Sequence, residues 1–288
     1  MWQIIAEEVA QQLAQPVSFI KTTPVSGGDI NQSYLATDQN RQAYFIKVNQ
    51  AAFYDAFLAE AHALKKIART KTIKVPDIIA CSRSKTFSFL VLEALELTQP
   101  KQTAWRLAGT QLAKLHKADV QAKYGFDDDN FIGHTGQKNQ WSSNWSNFFS
   151  EQRIGAQLEL LAEKGILFGD IDDIVALVHG LLKPHKPEAC LLHGDLWSGN
   201  ISACADTPVI YDPASYYGDR EIDIAMSQLF ARFPDDFYQA YQAAWPLPKD
   251  AADRQHIYNL YHILNHANMF AGGYIDQARH AIKFLSQH

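Results

Sequence analysis

Residues 191–200 read LLHGDLWSGN, and the spacing of their polar side chains organises the reading of the whole chain. His193 and Asp195 flank Gly194, and Asn200 stands five positions after Asp195. Downstream, PVIYDPA contains a short apolar strand ending on Asp212, twelve residues beyond Asn200. Phosphoryl transfer from ATP requires a carboxylate to orient the attacking hydroxyl and oxygen ligands to hold Mg²⁺ against the phosphates. Asp195 suits the first task, as catalytic base. Asn200 and Asp212 suit the second, as metal ligands, with His193 as support for the loop. The competing interpretation is a polar turn between two strands, which is all that an isolated His-x-Asp would merit. The complete set in order, late in the chain, favours phosphoryl transfer.

The N-terminal part supplies what such a site needs. Ser26-Gly27-Gly28-Asp29 joins two apparent strands, and small residues at Gly27 and Gly28 let backbone N–H groups approach phosphates. Two adjacent glycines alone also suit any hairpin, and no G-x-G-x-x-G string is present. Lys47 ends the apolar run Tyr44-Phe45-Ile46-Lys47-Val48, in reach of α- and β-phosphates, and Glu60 on the next helix can pair with it. Singly, both are ordinary surface charges; their order ahead of the His-x-Asp loop is what raises them. Glu93-Ala94-Leu95, after the buried strand FLVL, is the linker where adenine meets backbone donors and acceptors. His-x-Asp-x-x-x-x-Asn followed by a strand-borne Asp is the kinase arrangement.

Composition agrees. The 288 residues allow two domains or one domain in two lobes, at roughly 150 residues each. A hydrophobic fraction of 47% and an aromatic fraction of 12% exclude a disordered or fibrous chain. The net charge of −5 gives no basic excess for nucleic acid. Three cysteines without C-x-x-C spacing argue against a disulfide scaffold and for a cytoplasmic protein. No basic, apolar leader opens the chain, and no apolar window approaches the ~18 residues of a membrane span. The opening segment sets Ile4, Ile5, Val9 and Leu13 on one side of a helix. Strands dominate residues 1–95, with one helix at 51–70, and helices dominate 96–288, including 102–117, 144–164, 170–182, 235–244, 250–270 and 274–286. The expected fold class is α+β, a small β-rich N-lobe on a larger helical C-lobe.

HGDLWSGN together with YDPASYYGDREID resembles the fructosamine (ketosamine) kinases, relatives of aminoglycoside and choline kinases with a protein-kinase-like fold. The distinctive element is Trp197. VSGGDINQSY, FLVLEAL and the block Asn130-x-Ile132-Gly133-x-Thr135-x-Gln137-x-Asn139-x-Trp141 extend the resemblance over nearly the whole chain. It departs in two places: Asp29 replaces a frequent Cys, and Gly136 a frequent Pro. The resemblance implies an ATP- and Mg²⁺-dependent kinase acting on the 3-hydroxyl of a sugar joined to an amine, peptide or protein lysine through an Amadori linkage. The product then breaks down and frees the amine. Trp197 would pack on the sugar's C–H surface, Asp219 would contact substrate or brace the loop, and Asp223 would brace it. Which ketosugar and amine are preferred, and whether the chain acts as a monomer or homodimer, stays open.

Two other functions fit less well. A choline, aminoglycoside or other amino-alcohol kinase would use the same residues, and only Trp197 and the Asn130–Trp141 block oppose it. A non-catalytic nucleotide-binding protein would have lost Lys47, Asp195, Asn200 or Asp212. His262 and His266, i and i+4 on a helix, lack a third metal ligand nearby and read as a helix face. Tyr216, Tyr217, Trp141 and Trp145 read as core rather than as a box for a quaternary amine, and Lys65-Lys66 as a solvated face.

Overall fold

Helix α1 (Trp2–Leu13) leads into strands β1 (Phe19–Val25), β2 (Gln32–Asp38) and β3 (Ala43–Gln50), and helix α2 (Tyr54–Thr70) into β4 (Ile78–Arg83) and β5 (Phe87–Glu93). The computed structural model describes residues 1–25 and 31–287. The turn carrying Gly27 and Gly28 lies outside the described residues. The five strands form one antiparallel sheet in the order β1-β2-β3-β5-β4.

Side chains alternate across a strand. Tyr44, Ile46 and Val48 of β3, with Phe89 and Val91 of β5, therefore share one face and close over Ile5 and Val9 of α1. Leu90 and Leu92 take the other face, against Phe57, Ala61, Leu64 and Ile67 of α2. Lys47, the register partner of Leu90, is thereby sent to the α2 side. A one-residue slip would turn it into the α1 layer, and with about 1.5–3 kcal/mol for each large apolar side chain buried, register is firmly held. Of the stripe expected on α1, Ile5 and Val9 are covered, with Ala6 beside them, while Ile4 and Leu13 are exposed. Strand β4, whose Cys81-Ser82-Arg83 dilutes any apolar pattern, forms by pairing along β5.

The larger lobe is helical: α3 (Gln102–Ala118), α4 (Trp145–Phe149), α5 (Ala156–Glu163), α6 (Ile171–Leu182), α7 (Glu221–Leu229), α8 (Asp235–Ala244), α9 (Ala251–Phe270) and α10 (Gly273–Leu285). Short strands thread it: β6 (Leu97–Thr98), β7 (Val120–Gln121), β8 (Asn130–Ile132), β9 (Thr135–Gln137), β10 (Ala189–Leu191), β11 (Ile201–Cys204), β12 (Thr207–Ile210) and β13 (Tyr217–Gly218). The single helix expected over 144–164 is instead interrupted by a π-helical turn, Ser150–Gly155, between α4 and α5. There Arg153 is drawn fully inside, donating to the Lys138 carbonyl and to Asn139 Oδ1, with its guanidinium 3.9 Å from the centre of the Tyr216 ring. Helix α7 occupies part of SYYGDREID, which carries no strong helical pattern. Among the described residues no helix is long and apolar enough to cross a membrane.

Candidate active site

The loop after β10 and the segment after Asp212 run side by side: Leu192 N–H donates to the Tyr216 carbonyl (3.0 Å) and Ala214 N–H to the His193 carbonyl (2.9 Å). Gly194 lies between them at φ +84°, and a Cβ there would stand 2.1 Å from the Ala214 oxygen. No side chain fits, which sets the sharp bend before Asp195. Behind the bend, Asp223 accepts from the N–H groups of His193 and Gly194 at 2.8 Å each, and pairs with His116 Nε2 at 3.1 Å. Burial raises the Asp223 pKa, but the hydrogen bond and charge of His116 outweigh it and hold the carboxyl below its usual range. His193 Nδ1 accepts from Asp195 N–H (3.3 Å), so Nε2–H donates to the Tyr211 carbonyl (3.0 Å). That pattern needs a neutral ring, and burial lowers the pKa accordingly.

The hairpin β11–β12 brings the two expected oxygen ligands, Asn200 and Asp212, together. Ile201 pairs with Ile210, and Tyr211 N–H donates to the Asn200 carbonyl (3.1 Å), so Asn200 and Asp212 meet at the hairpin's open end. Asn200 Nδ2 donates to the Asp195 carbonyl (2.8 Å) and to Asp195 Oδ2 (3.1 Å), so its amide oxygen is the atom available to a cation. Asp212 is held at φ 57°, a left-handed conformation uncommon outside glycine and often found at functional sites. Across the cleft, buried Lys47 donates to Glu60 Oε1 at 2.8 Å and to Asp212 Oδ1. Burial pushes the Lys47 pKa down, but Asp212 and Glu60 outweigh it and hold the ammonium charged. Burial, reinforced by the charge of Asp212 and opposed by the Asn200 hydrogen bond, raises Asp195 to about 7. The repulsion between these carboxylates, and a donor set made of hard oxygens, fit a Mg²⁺ ion held by Asn200 and Asp212.

A cleft of about 750 Å³ separates the lobes. One half is bordered by Val25, Leu35, Phe45 and Leu92 with the linker Glu93, Ala94 and Leu95. The other is aromatic: Trp197, Phe230, His266, Phe270 and Tyr274. The Phe230 ring lies 4.4 Å from His266 and 6.2 Å from Tyr274, and Trp197 meets Phe230 edge to face at 6.4 Å. The indole covers Gly199, where a Cβ would come within 2.3 Å of it. Sequence reasoning found Trp197 but left His266 on a helix face and passed over Phe230, Phe270 and Tyr274. The i,i+4 pair His266 and Phe270 was the available signal.

The Asn130–Asn139 block acts from below. Asn130 Nδ2 donates to the Ser215 carbonyl (2.7 Å), and Gln137 Nε2 to the Ala214 carbonyl (3.1 Å) and to Asn130 Oδ1 (2.7 Å). It therefore fastens the chain just after Asp212. Asp219, left open between contacting substrate and bracing the loop, does not border the cleft: it is buried, receives the Tyr258 hydroxyl and pairs with His185 Nε2 at 2.7 Å. The pairing of β13 with β10 holds this segment inside the lobe. His185, Asp219 and Glu221 offer ligand atoms within 4.8 Å of one another, but Arg254 occupies both Glu221 oxygens at 2.7 and 2.8 Å, so the cluster is an internally neutralised network. Trp145, Tyr216 and Tyr217 are core, and Trp141 stacks on Tyr217 at 5.8 Å. Lys66, expected on a solvated face, is half-buried over the Phe126 and Tyr217 rings and paired with Asp127 at 2.8 Å.

A two-lobed chain with Lys47 joined to Asp212 across a cleft, and Asp195 beside them, is a phosphotransferase of the protein-kinase-like type. The sequence model of the fructosamine kinase family matches residues 1–288, and the chain belongs to that family. It is 45% identical to a probable ketoamine kinase of Vibrio parahaemolyticus over 97% of each chain. A probable ketoamine kinase of Synechocystis is also 45% identical, over 98% of this chain and 96% of the relative. The crystal structure of a candidate fructosamine-3-kinase from Haemophilus somnus superposes with a TM-score of 0.95 at 36% identity, covering 99% of this chain and 97% of the other. The choline kinase LicA of Streptococcus pneumoniae, at 16% identity and a TM-score of 0.65, shares the fold. The protein is thus an ATP-dependent kinase.

Proposed function

We propose that the protein uses ATP and Mg²⁺ to phosphorylate the 3-hydroxyl of ketosamines, Amadori adducts of ketose sugars with amines or lysine side chains. The observation that carries this reading is the indole of Trp197, laid over Gly199 two residues from Asp195 and facing the aromatic wall. An indole face suits the C–H surface of a sugar and gives up little rotamer freedom on binding. Adenine sits against Glu93–Leu95, Lys47 holds the α- and β-phosphates, and Asp195 orients the acceptor hydroxyl and takes its proton. Asn200 and Asp212 hold Mg²⁺, which when bound neutralises charge on the transferring phosphate. An aminoglycoside phosphotransferase of the same fold has been seen with ADP and hygromycin B, which supports the nucleotide assignment. Phosphate at C3 makes the adduct labile. Enolisation of the C2 ketone toward C1 places a double bond beside C3, phosphate leaves with its bonding pair, and water then hydrolyses the imine to free the amine.

The test is ADP release by the purified protein with fructoselysine, ribuloselysine, erythruloselysine, choline and kanamycin. Turnover with one or more ketosamines, and little with choline or kanamycin, is expected. The reverse order would replace this reading with that of an amino-alcohol kinase.

A further inference from the structure

A chain of side-chain amides beneath the acceptor half of the cleft has only one consistent orientation. Lys164 Nζ, which can only donate, lies 3.1 Å from Asn268 and 2.7 Å from its carbonyl oxygen, so the side-chain atom facing Lys164 must be Oδ1. Asn268 Nδ2 consequently donates to the Gln157 carbonyl (2.9 Å) and to Gln157 Oε1 (2.7 Å). Gln157 is left with its Nε2, which donates to Asn265 Oδ1 at 3.4 Å. Each amide fixes the next, and the remaining end is Asn265 Nδ2. That atom is buried and has no hydrogen-bond partner among the described residues, although Asn265 forms part of the cleft floor. A buried donor left without an acceptor is costly, and such groups are rare unless a ligand or water completes them.

We infer that Asn265 is a specificity-determining residue for the acceptor: its Nδ2 donates to an oxygen of the ketose, with Lys164, Asn268 and Gln157 as positioning residues that keep the amide from flipping. The inference rests on the ketosamine reading above and adds to it the atom that distinguishes a polyhydroxylated acceptor from an alkyl amine. Choline, whose quaternary end carries no oxygen, would satisfy the aromatic wall and leave Asn265 unpaired. The neighbouring His266 has complementary polarity. Its Nδ1–H donates to the His262 carbonyl at 2.8 Å, so Nε2 carries the ring's lone pair and can accept from a hydroxyl, and the residue borders the same cleft.

The test uses fructoselysine and ATP with the wild-type protein, Asn265→Leu, Asn265→Ala and Gln157→Glu. Leu removes the donor at similar volume, and Ala removes it without bulk. Gln157→Glu touches no part of the cleft lining but turns the relay's only donor toward Asn265 into an acceptor, which reverses the Asn265 amide. In all three, the KM for fructoselysine should rise roughly three- to tenfold, the expected loss of one neutral hydrogen bond. The KM for ATP should stay within about twofold. Crystals of the wild-type protein soaked with fructoselysine should place a sugar oxygen within hydrogen-bond distance of Asn265 Nδ2, and this readout does not depend on any variant folding. Unchanged fructoselysine KM in the variants, or a bound sugar with no oxygen at Nδ2, overturns the inference while leaving a ketosamine kinase in place. Absence of wild-type turnover with every ketosamine instead overturns the functional reading on which it rests.

Discussion

Asp223 accepts hydrogen bonds from the main-chain N–H groups of both His193 and Gly194, at 2.8 Å each, and so grips the catalytic loop from behind. One fully buried carboxylate therefore sets the backbone on which Asp195 stands. It is itself aligned by His116, whose other ring nitrogen meets the Tyr241 hydroxyl at 2.9 Å. Replacing Asp223 by Ala leaves two buried N–H donors and an imidazole without their acceptor. At about 1–3 kcal/mol for each unpaired buried donor, the variant should lose several kcal/mol in urea unfolding. Its kcat should fall more than its KM for ATP rises. Unchanged stability would show that the brace contributes nothing.

Asp195→Asn keeps the shape and the Asn200 contact but removes the proton acceptor. The expected loss in kcat is roughly 10²–10⁴-fold, the usual range for a positioned general base. A folded variant that retains more than about a tenth of the wild-type kcat contradicts the assignment.

The pH dependence follows from the same carboxylate. With Asp195 raised to about 7 by burial and by Asp212, the reactive, ionised form is lost as pH falls through that value. The kcat/KM for the acceptor should therefore decline about tenfold per unit on the acid side of neutrality when free Mg²⁺ is low. A divalent cation held by Asn200 and Asp212 would favour the ionised form of Asp195, so raising free Mg²⁺ should move this limb to lower pH. A profile flat to pH 5 at low Mg²⁺ would rule out Asp195 as the titrating base.

Gly199 and Trp197 form a matched pair of tests. Gly199→Ala drives a methyl group to within 2.3 Å of the indole and must displace it, whereas Trp197→Ala removes it. Both should cut kcat/KM for a ketosamine by roughly ten- to a hundredfold, equivalent to about 1–3 kcal/mol. The KM for ATP should hardly move in either. If both variants instead lose thermal stability and all acceptors suffer alike, the indole is a packing residue.

How much of this was legible depended on sequence distance. His193, Asp195 and Asn200 fall within eight residues, and local backbone geometry alone brings them together. Lys47 and Glu60 could be placed because strand alternation followed by a helix sends both to one side. The aromatic wall could not be read: Phe230, His266 and Tyr274 come from the end of α7, from α9 and from α10, and only helix packing joins them. The role of Asp219 stayed open for the opposite reason. Its position near the catalytic motif allowed either the cleft or a bracing role, and the β10–β13 pairing turns it toward His185 and Tyr258. The interrupted helix at Ser150–Gly155 was hidden too, because it accompanies the tertiary burial of Arg153, which no local pattern announces.

The most direct test of the central claim is the identity of the phosphorylated atom. Fructoselysine, ATP and Mg²⁺ should be incubated with the wild-type protein and followed by phosphorus and carbon NMR. The account predicts one phosphate ester on C3 of the sugar, followed by free lysine and inorganic phosphate as that ester decays. A phosphate ester on another carbon, or phosphorylation of choline or kanamycin with none on the ketosamine, would contradict it.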